Sequence, residues 1–180
     1  MIVMKFGGSS VQSAAWIDRV LDIAERSLEE APLLVSSAMG KTTDTLVAIA
    51  NDAAEGEAKR AFKAVQSLRR FHLDTCEELL TGNEYARAVS RVEGLFGELT
   101  SLVQGLTLIR ECTPRTYDAL LAFGELLSTA IIARRGAERG IDTVLLDSRQ
   151  LIVTDESFNA AAPDFEPTRL AEMPEVQVHF

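Results

Sequence analysis

The first residues that could do chemistry lie near the start of the sequence: Lys5, Gly7, Gly8 and Ser9. Glycine lets the backbone come close to a ligand, and loop amides at a helix start offer partial positive charge to a phosphate. Lys5 could reach over the loop and offset charge on a transferred phosphoryl group. The spacing is not that of a P-loop, and a tight strand-to-helix connection with a surface lysine is the alternative interpretation.

A second small polar segment, Ser36–Asp44, follows a short apolar run. It supplies the hydroxyls of Ser37 and Thr43, the ammonium group of Lys41 and a predicted helix N-terminus. Helix capping by Thr43 or Asp44 is the simpler interpretation of the same residues. Both interpretations hold together if Asp44 caps the helix while Thr43 contacts a substrate.

The third candidate is Glu125, which lies in a predicted helix among many leucines and isoleucines. A carboxylate on such a surface must be solvated, paired or part of a site, because an unpaired buried charge is costly. The neighbouring Gly124 thins the helix and would let a ligand or another backbone approach. The alternative is an exposed glutamate on the polar face of an amphipathic helix.

These segments are positioned by a predicted strand–helix–strand unit. Ile2–Phe6 reads as a strand, Ala14–Glu30 as a helix with Ser13 as its N-cap, and Leu33–Val35 as a second strand buried on both faces. That order predicts parallel strands joined by a right-handed crossover. Since ligands bind at the carboxyl ends of parallel strands, the first two loops are expected to share one edge of the sheet.

Long helical patterns follow the second strand and predict a helical insertion in an α/β fold. The predicted helices are Asp44–Ala54, Glu57–Leu80, Glu84–Leu108 and Arg115–Arg135, the last starting at Thr113-Pro114. Further strands are predicted at Thr143–Leu146, Leu151–Val153 and Val176–Phe180. We expect a surface or half-buried position for His72 and a solvated helix end at Arg134, Arg135, Glu138 and Arg139.

Composition narrows the classes of function. The 180 residues suffice for one domain with a sizeable core, and 27 acidic against 18 basic residues argue against nucleic-acid binding. Cys76 and Cys112 lie far apart, which excludes a disulfide scaffold and argues against zinc. We expect no metal ligands on the protein, no signal peptide and no stretch as long as a membrane span. We therefore expect a cytoplasmic location.

Taken in order, the polar segments resemble the aspartate kinase family. Lys5–Val11 resembles its opening KFGGTSV signature, with Ser9 where threonine is usual, a change that keeps the hydroxyl. Three further matches follow in the same order: Val35–Asp44, the GExxS helix at Gly124–Ser128, and Leu146–Ala160. The similarity is collinear from Met1 to about Pro163.

The resemblance implies a three-layer α/β/α sandwich of amino-acid-kinase type with a mostly parallel sheet. It implies phosphoryl transfer from Mg-ATP to the β-carboxylate of L-aspartate, giving 4-phospho-L-aspartate, the first step toward lysine, threonine and methionine. The ATP phosphates would be held by Lys5, also the catalytic group, with Gly7, Gly8 and Ser9. Aspartate would be held by Thr43, by Glu125 on its ammonium group and, as a weaker candidate, by Ser37. Positioning and electrostatic stabilisation of an in-line transfer would suffice, with no covalent enzyme intermediate.

The family continues beyond the matched region with a GRGGSD-type segment, a nucleotide-base pocket and ACT domains. We therefore expect residues 1–180 to be the N-terminal portion of one kinase domain, incomplete at its C-terminus, poorly active alone and prone to self-association. Two alternatives remain open. In the first, the chain belongs to another amino-acid kinase that acts on a different carboxylate, carbamate or nucleotide. In the second, it is a non-catalytic module that pairs with a partner chain.

Overall fold

The computed structural model describes residues 1–170 and begins with a parallel pair of strands. Strand β1 spans Ile2–Phe6 and β2 spans Pro32–Ser36, in parallel register from Ile2↔Pro32 to Phe6↔Ser36. Helix α1, Ala14–Glu25, connects them. The predicted strand–helix–strand unit with parallel strands is therefore confirmed, and both strands end where their polar loops begin.

One face of this sheet packs on the helices and the other is open. Phe6 and Leu34 pack against the core, whereas Val3 is 59% exposed and Val35 is 46% exposed. The expectation that the second strand is buried on both faces is wrong. Within residues 1–170, the helices cover one side of the strands only, and the period-two alternation of a strand then exposes every second residue.

Helix α1 is shorter than expected because the chain turns before β2. The helix ends at Glu25 rather than Glu30, and a 3-10 turn, Leu28–Glu30, follows. Ala31 then takes a left-handed conformation with φ of 46° directly before Pro32. A proline disfavours helical conformation in the residue before it, so the helical pattern cannot continue into the strand.

Within residues 1–170, four long helices and two short ones follow β2. They are α2 Thr42–Ala54, α3 Ala58–Leu79, α4 Gly82–Ile109, α5 Pro114–Leu121, α6 Phe123–Glu138 and α7 Phe165–Leu170. The first three agree with the predicted insertion to within two residues at each end. Their apolar faces meet in one core that includes Leu46, Val65, Leu99 and Ile131, all fully buried.

The stretch predicted as one helix after Pro114 is two helices, α5 and α6, that meet at Ala122. Its predicted start is confirmed, because the Thr113 side chain accepts a hydrogen bond from the Thr116 amide at 3.2 Å. The expectation that no stretch is as long as a membrane span is wrong. By length and composition alone, Pro114–Glu138 is long and apolar enough to cross a membrane, and its most apolar window has a mean hydropathy of 1.3. Half of its most apolar window is buried inside the protein, as is usual for a core helix.

The predicted strands at Thr143–Leu146 and Leu151–Val153 are wrong within the described residues. A strand requires a neighbour to complete its hydrogen-bond ladder, and this segment has none. Thr143 packs on α6 instead, where a Cβ added to Gly136 would lie 2.6 Å from its hydroxyl oxygen. Thr154 makes an isolated antiparallel bridge to Pro163. The predicted strand Val176–Phe180 lies outside the described residues.

His72 lies in the helical core with none of its surface exposed, which corrects the expectation of a surface or half-buried position. Its Nδ1 is 2.9 Å from the Leu68 carbonyl oxygen, and the rings of Phe71 and Phe96 lie 5.1 and 5.7 Å away. Burial lowers the pKa of His72 to about 4, because the charged imidazolium would lose its hydration. His72 is therefore neutral at pH 7.

The end of α6 is tied to α1 by ion pairs rather than being solvated as expected. Arg135 donates to the Asp18 carboxylate at 2.7 Å and to the Leu79 carbonyl at 2.8 Å. Arg139 donates to Asp22 and to Glu25, each at 2.6 Å. These contacts attach the crossover helix of the sheet to the helical insertion.

Candidate active site

The first loop turns sharply at the end of β1. Gly7 precedes a 3-10 turn, Gly8–Val11, that is closed by a 2.8 Å hydrogen bond from the Ser10 amide to the Gly7 carbonyl. Lys5 points to the open side of the strand, and its Nζ lies 3.6 Å from where a Cβ on Gly7 would stand. The ammonium group thus lies beside Gly7.

The second loop touches the first through backbone atoms. The Gly40 amide donates to the Gly8 carbonyl at 3.1 Å, and a Cβ on Gly8 would lie only 2.9 Å from the Ala38 carbonyl oxygen. The Ser37 amide also donates to the Phe6 carbonyl at 3.0 Å, which continues the parallel ladder past the strand ends. The two loops therefore share one sheet edge, and glycine at position 8 is what permits this approach.

Helix α6 brings the third segment against the second loop. The Glu125 carboxylate accepts a 3.2 Å hydrogen bond from the Ala38 amide, and the Ser128 hydroxyl donates to the Ser37 carbonyl at 2.9 Å. A Cβ on Gly124 would lie 2.7 Å from the Ala38 Cβ, so only glycine allows the helix this close. The three segments that are distant in sequence thus meet at one place.

Ser128 is not among the residues predicted for the site. It is buried, and it joins the helix to the loop from the position one turn after Glu125. The signal available in the sequence is the three-residue spacing, which puts both side chains on one helix face. Its partner is a backbone carbonyl, so the contact itself has no counterpart in the sequence.

The start of α2 differs from the prediction that Thr43 or Asp44 caps it. The helix begins at Thr42, after a turn in which Gly40 has φ of 52°, and Lys41 is the N-cap residue with no side-chain cap. Thr43 and Asp44 are exposed in the first helical turn. Thr42 is 2% exposed, and its hydroxyl has no hydrogen-bond partner within the described residues.

The arrangement suits an anionic ligand next to a small zwitterion. Lys5 and Lys41 supply positive charge beside glycine-rich backbone and the α2 N-terminus. Glu125 is exposed and uses only one oxygen in the Ala38 contact, so the other can accept from an ammonium group. Within residues 1–170 no three His, Cys, Asp or Glu side chains cluster as metal ligands.

Comparison with known proteins gives a family match along nearly the whole chain. The sequence model of the amino acid kinase family matches residues 1–174. Aspartokinase 1, chloroplastic, of Arabidopsis thaliana is 35% identical over 161 residues, which cover 87% of this chain and 27% of that protein. Lysine-sensitive aspartokinase 3 of Escherichia coli (strain K12) is 30% identical over 178 residues, which cover 99% of this chain and 37% of that protein.

Solved structures agree with the sequence matches. The E. coli aspartokinase III complex with lysine and aspartate superposes with a TM-score of 0.78 at 29% identity. Its complex with aspartate and ADP gives 0.77 at 30% identity, and each match covers 91% of this chain and 35% of that one. The chain therefore spans about a third of the length of the aspartokinase III chain.

Proposed function

The chain belongs to the amino acid kinase family, and from this premise we propose that it forms part of an aspartate kinase site. The reaction is phosphoryl transfer from ATP to the β-carboxylate of L-aspartate. One observation carries the proposal: the Glu125 carboxylate is anchored on the Ala38 amide, beside the loop that Lys5 overlies. The Glu125 carboxylate, which could bind an ammonium group, thus lies next to the glycine loop, which could bind phosphates. Aspartokinase relatives, one solved with aspartate and ADP, favour this substrate pair.

The first loop is assigned to the ATP phosphates. The backbone at Gly7 and Gly8 and the Ser9 hydroxyl would donate hydrogen bonds to phosphate oxygens, with Lys5 beside the transferred group. Because the Lys5 Nζ lies near Gly7, it would stabilise charge that grows on the phosphoryl oxygens during in-line transfer. Mg²⁺, which usually binds through one or two carboxylates and substrate phosphates, would supply further neutralisation when bound with the nucleotide.

The second loop and α6 are assigned to aspartate. The contact with Ala38 fixes the Glu125 carboxylate, which leaves one oxygen for the substrate ammonium group. Thr43, exposed at the start of α2, and the Ser37 hydroxyl, half-buried between the loops, are the further proposed contacts. These side chains would orient the β-carboxylate toward the phosphates, which is the larger part of catalysis in such transfers.

The test is to trap the acyl phosphate with hydroxylamine. The full-length product of the gene is incubated with Mg-ATP and each of several amino acids and carboxylates, and hydroxamates are identified by mass. Aspartyl hydroxamate formed only with aspartate and ATP supports the proposal. A folded protein that turns over ATP with another carboxylate, and not with aspartate, would assign it to a different member of the family.

A further inference from the structure

A second charged groove lies between α4 and α6, away from the proposed kinase site. Its volume is about 750 Å³, and three guanidinium groups line it, from Arg87, Arg91 and Arg134. Arg134 is nine residues beyond Glu125 on α6, so the groove is roughly 13 Å further along that helix. None of its lining residues belongs to the loops assigned to ATP and aspartate.

The positive charge of this groove is only partly neutralised. Glu84 accepts from Arg87 at 2.9 Å and from Arg134 at 3.3 Å, so one carboxylate serves two guanidinium groups. Although Arg91 lines the groove, its side chain makes no hydrogen bond or ion pair with any residue of the described chain. The charge of Arg91 helps to lower the pKa of the Asp147 carboxyl. The largest cause of that lowered pKa is the hydrogen bond from Arg149, which donates to the Asp147 carboxylate at 2.6 Å.

The wall of the groove keeps space for a ligand. Ala86, Ser90 and Gly94 follow one another at four-residue spacing on α4, so they form a row of small side chains. Arg87 and Arg91 stand one helical turn apart on the same helix, where two like charges repel. An anion bound between Arg87, Arg91 and Arg134 would offset this repulsion.

We propose that this groove binds a small molecule that carries a phosphate or diphosphate group. Arginine suits this ligand because its planar guanidinium group donates two parallel hydrogen bonds to phosphate oxygens. A phosphate monoester carries a charge of about −1.5 to −2 at neutral pH, which matches the excess of arginine over Glu84. The Ser90 hydroxyl is a further donor on the wall.

The test uses pyrophosphate as the probe and isothermal titration calorimetry on this chain. Because the loop at Gly7 can also bind phosphates, the titration is done with wild-type protein and with Lys5→Ala. The groove predicts a binding event that persists in Lys5→Ala and weakens at least about tenfold in Arg91→Gln. Glu84→Gln removes the competing carboxylate, so it should tighten the same event.

Arg70→Gln is the matched control, since Arg70 is a 76% exposed arginine paired with Asp74 outside the groove. It should leave binding within about twofold, and Arg134→Gln repeats the test from the other helix. Equal weakening in Arg70→Gln and Arg91→Gln, or loss of all binding in Lys5→Ala, would overturn the proposal. Citrate that binds as tightly as pyrophosphate would overturn its assignment to phosphate.

Discussion

In the proposed site, Glu125 would have two roles that depend on different oxygens of one side chain. One oxygen accepts from the Ala38 amide at 3.2 Å and so fixes the second loop, and the other is open to a ligand. Gly124 allows this contact, because any side chain there would collide with Ala38. Neighbouring residues on α6 thus set the distance of the helix from the loop and the charge that faces the site.

Gly124→Ala tests how closely α6 packs on the loop. The added Cβ would lie 2.7 Å from the Ala38 Cβ, so we expect overpacking to lower the free energy of unfolding by about 1–3 kcal/mol. Urea denaturation measures this change. The control is Gly97→Ala, in α4 with nothing within 4 Å of the new Cβ, where better helix propensity should stabilise the protein. Equal effects of both substitutions would contradict the packing argument.

His72 predicts a pH dependence of stability. Its pKa falls from the ordinary 6.5 to about 4 in the folded state, so its contribution is present above pH 6.5 and is lost as pH falls toward 4. The loss amounts to about 3 kcal/mol between pH 7 and pH 4. Urea denaturation of wild type and His72→Leu at both pH values measures it. We expect the decrease to be smaller in His72→Leu, and parallel pH profiles would refute the assignment.

At the scale of elements, α6 joins two parts of the molecule. Its first turn contacts the second loop, and its last turn contacts α1. Arg135 and Arg139 bind three carboxylates of α1, namely Asp18, Asp22 and Glu25. The arginines are only partly exposed, so these pairs are less screened than free surface pairs. They fix the crossover helix that joins β1 to β2.

Arg139→Gln should therefore destabilise the protein more than an ordinary surface substitution does. Loss of the bonds to Asp22 and Glu25 is expected to cost about 1–3 kcal/mol, since hydrogen bonds between charged groups are the stronger ones. Arg70→Gln, whose exposed pair with Asp74 lies within one helix, should cost less than about 0.5 kcal/mol. Thermal unfolding of both variants measures the difference, and equal midpoints would show that the α1–α6 pairs add no stability.

The elements also show what the sequence can and cannot predict. Strand β1 and helices α2 to α4 are predictable because their apolar periodicity is local, and Thr113-Pro114 marks the start of α5. The segment after Gly140 has the apolar composition of strands, but a strand forms only where a neighbour completes its ladder. The break at Ala122 and the ion pairs of Arg135 depend on tertiary contacts that no local pattern encodes.

The same division applies to the site. The glycines of the first loop are predictable as candidates because two glycines directly follow a strand. Glu125 is predictable as a candidate because a carboxylate is unusual in an apolar helix. The hydrogen bonds that join α6 to the second loop, from the Ala38 amide to Glu125 and from the Ser128 hydroxyl to Ser37, involve residues whose types are common in any loop or helix. The cytoplasmic location remains a prediction, as do the binding and catalytic roles of all the candidate residues: Lys5, Gly7, Gly8, Ser9, Ser37, Thr43 and Glu125.

At the scale of the whole molecule, the amino-acid-kinase fold predicted from the sequence is confirmed by the likeness to aspartokinase III. Within residues 1–170 the sheet has two strands and one open face, on which Val3, Leu33 and Val35 are 59%, 38% and 46% exposed. Lys5 shares that face, so the proposed nucleotide site and the apolar surface adjoin. Contiguous exposed apolar surface of this kind favours association.

The open sheet face predicts that the isolated 180-residue chain self-associates. Sedimentation velocity over a range of concentrations should detect dimers or larger species, and Val35→Asp should shift them toward monomer. Ile109→Asp is the control, because Ile109 is 72% exposed but lies at the end of α4. If the two variants behave alike, or if wild type is monomeric at all concentrations, the sheet face does not drive association.

The most direct test of the proposed site is the effect of Glu125→Gln on substrate use by the full-length gene product. Glutamine keeps an acceptor for the Ala38 amide but loses the charge for the substrate ammonium group. We predict that KM for aspartate rises at least about tenfold while KM for ATP stays within about twofold, and that Lys5→Ala instead lowers kcat by about 100-fold or more. A Glu125→Gln enzyme with unchanged KM for aspartate would contradict the account.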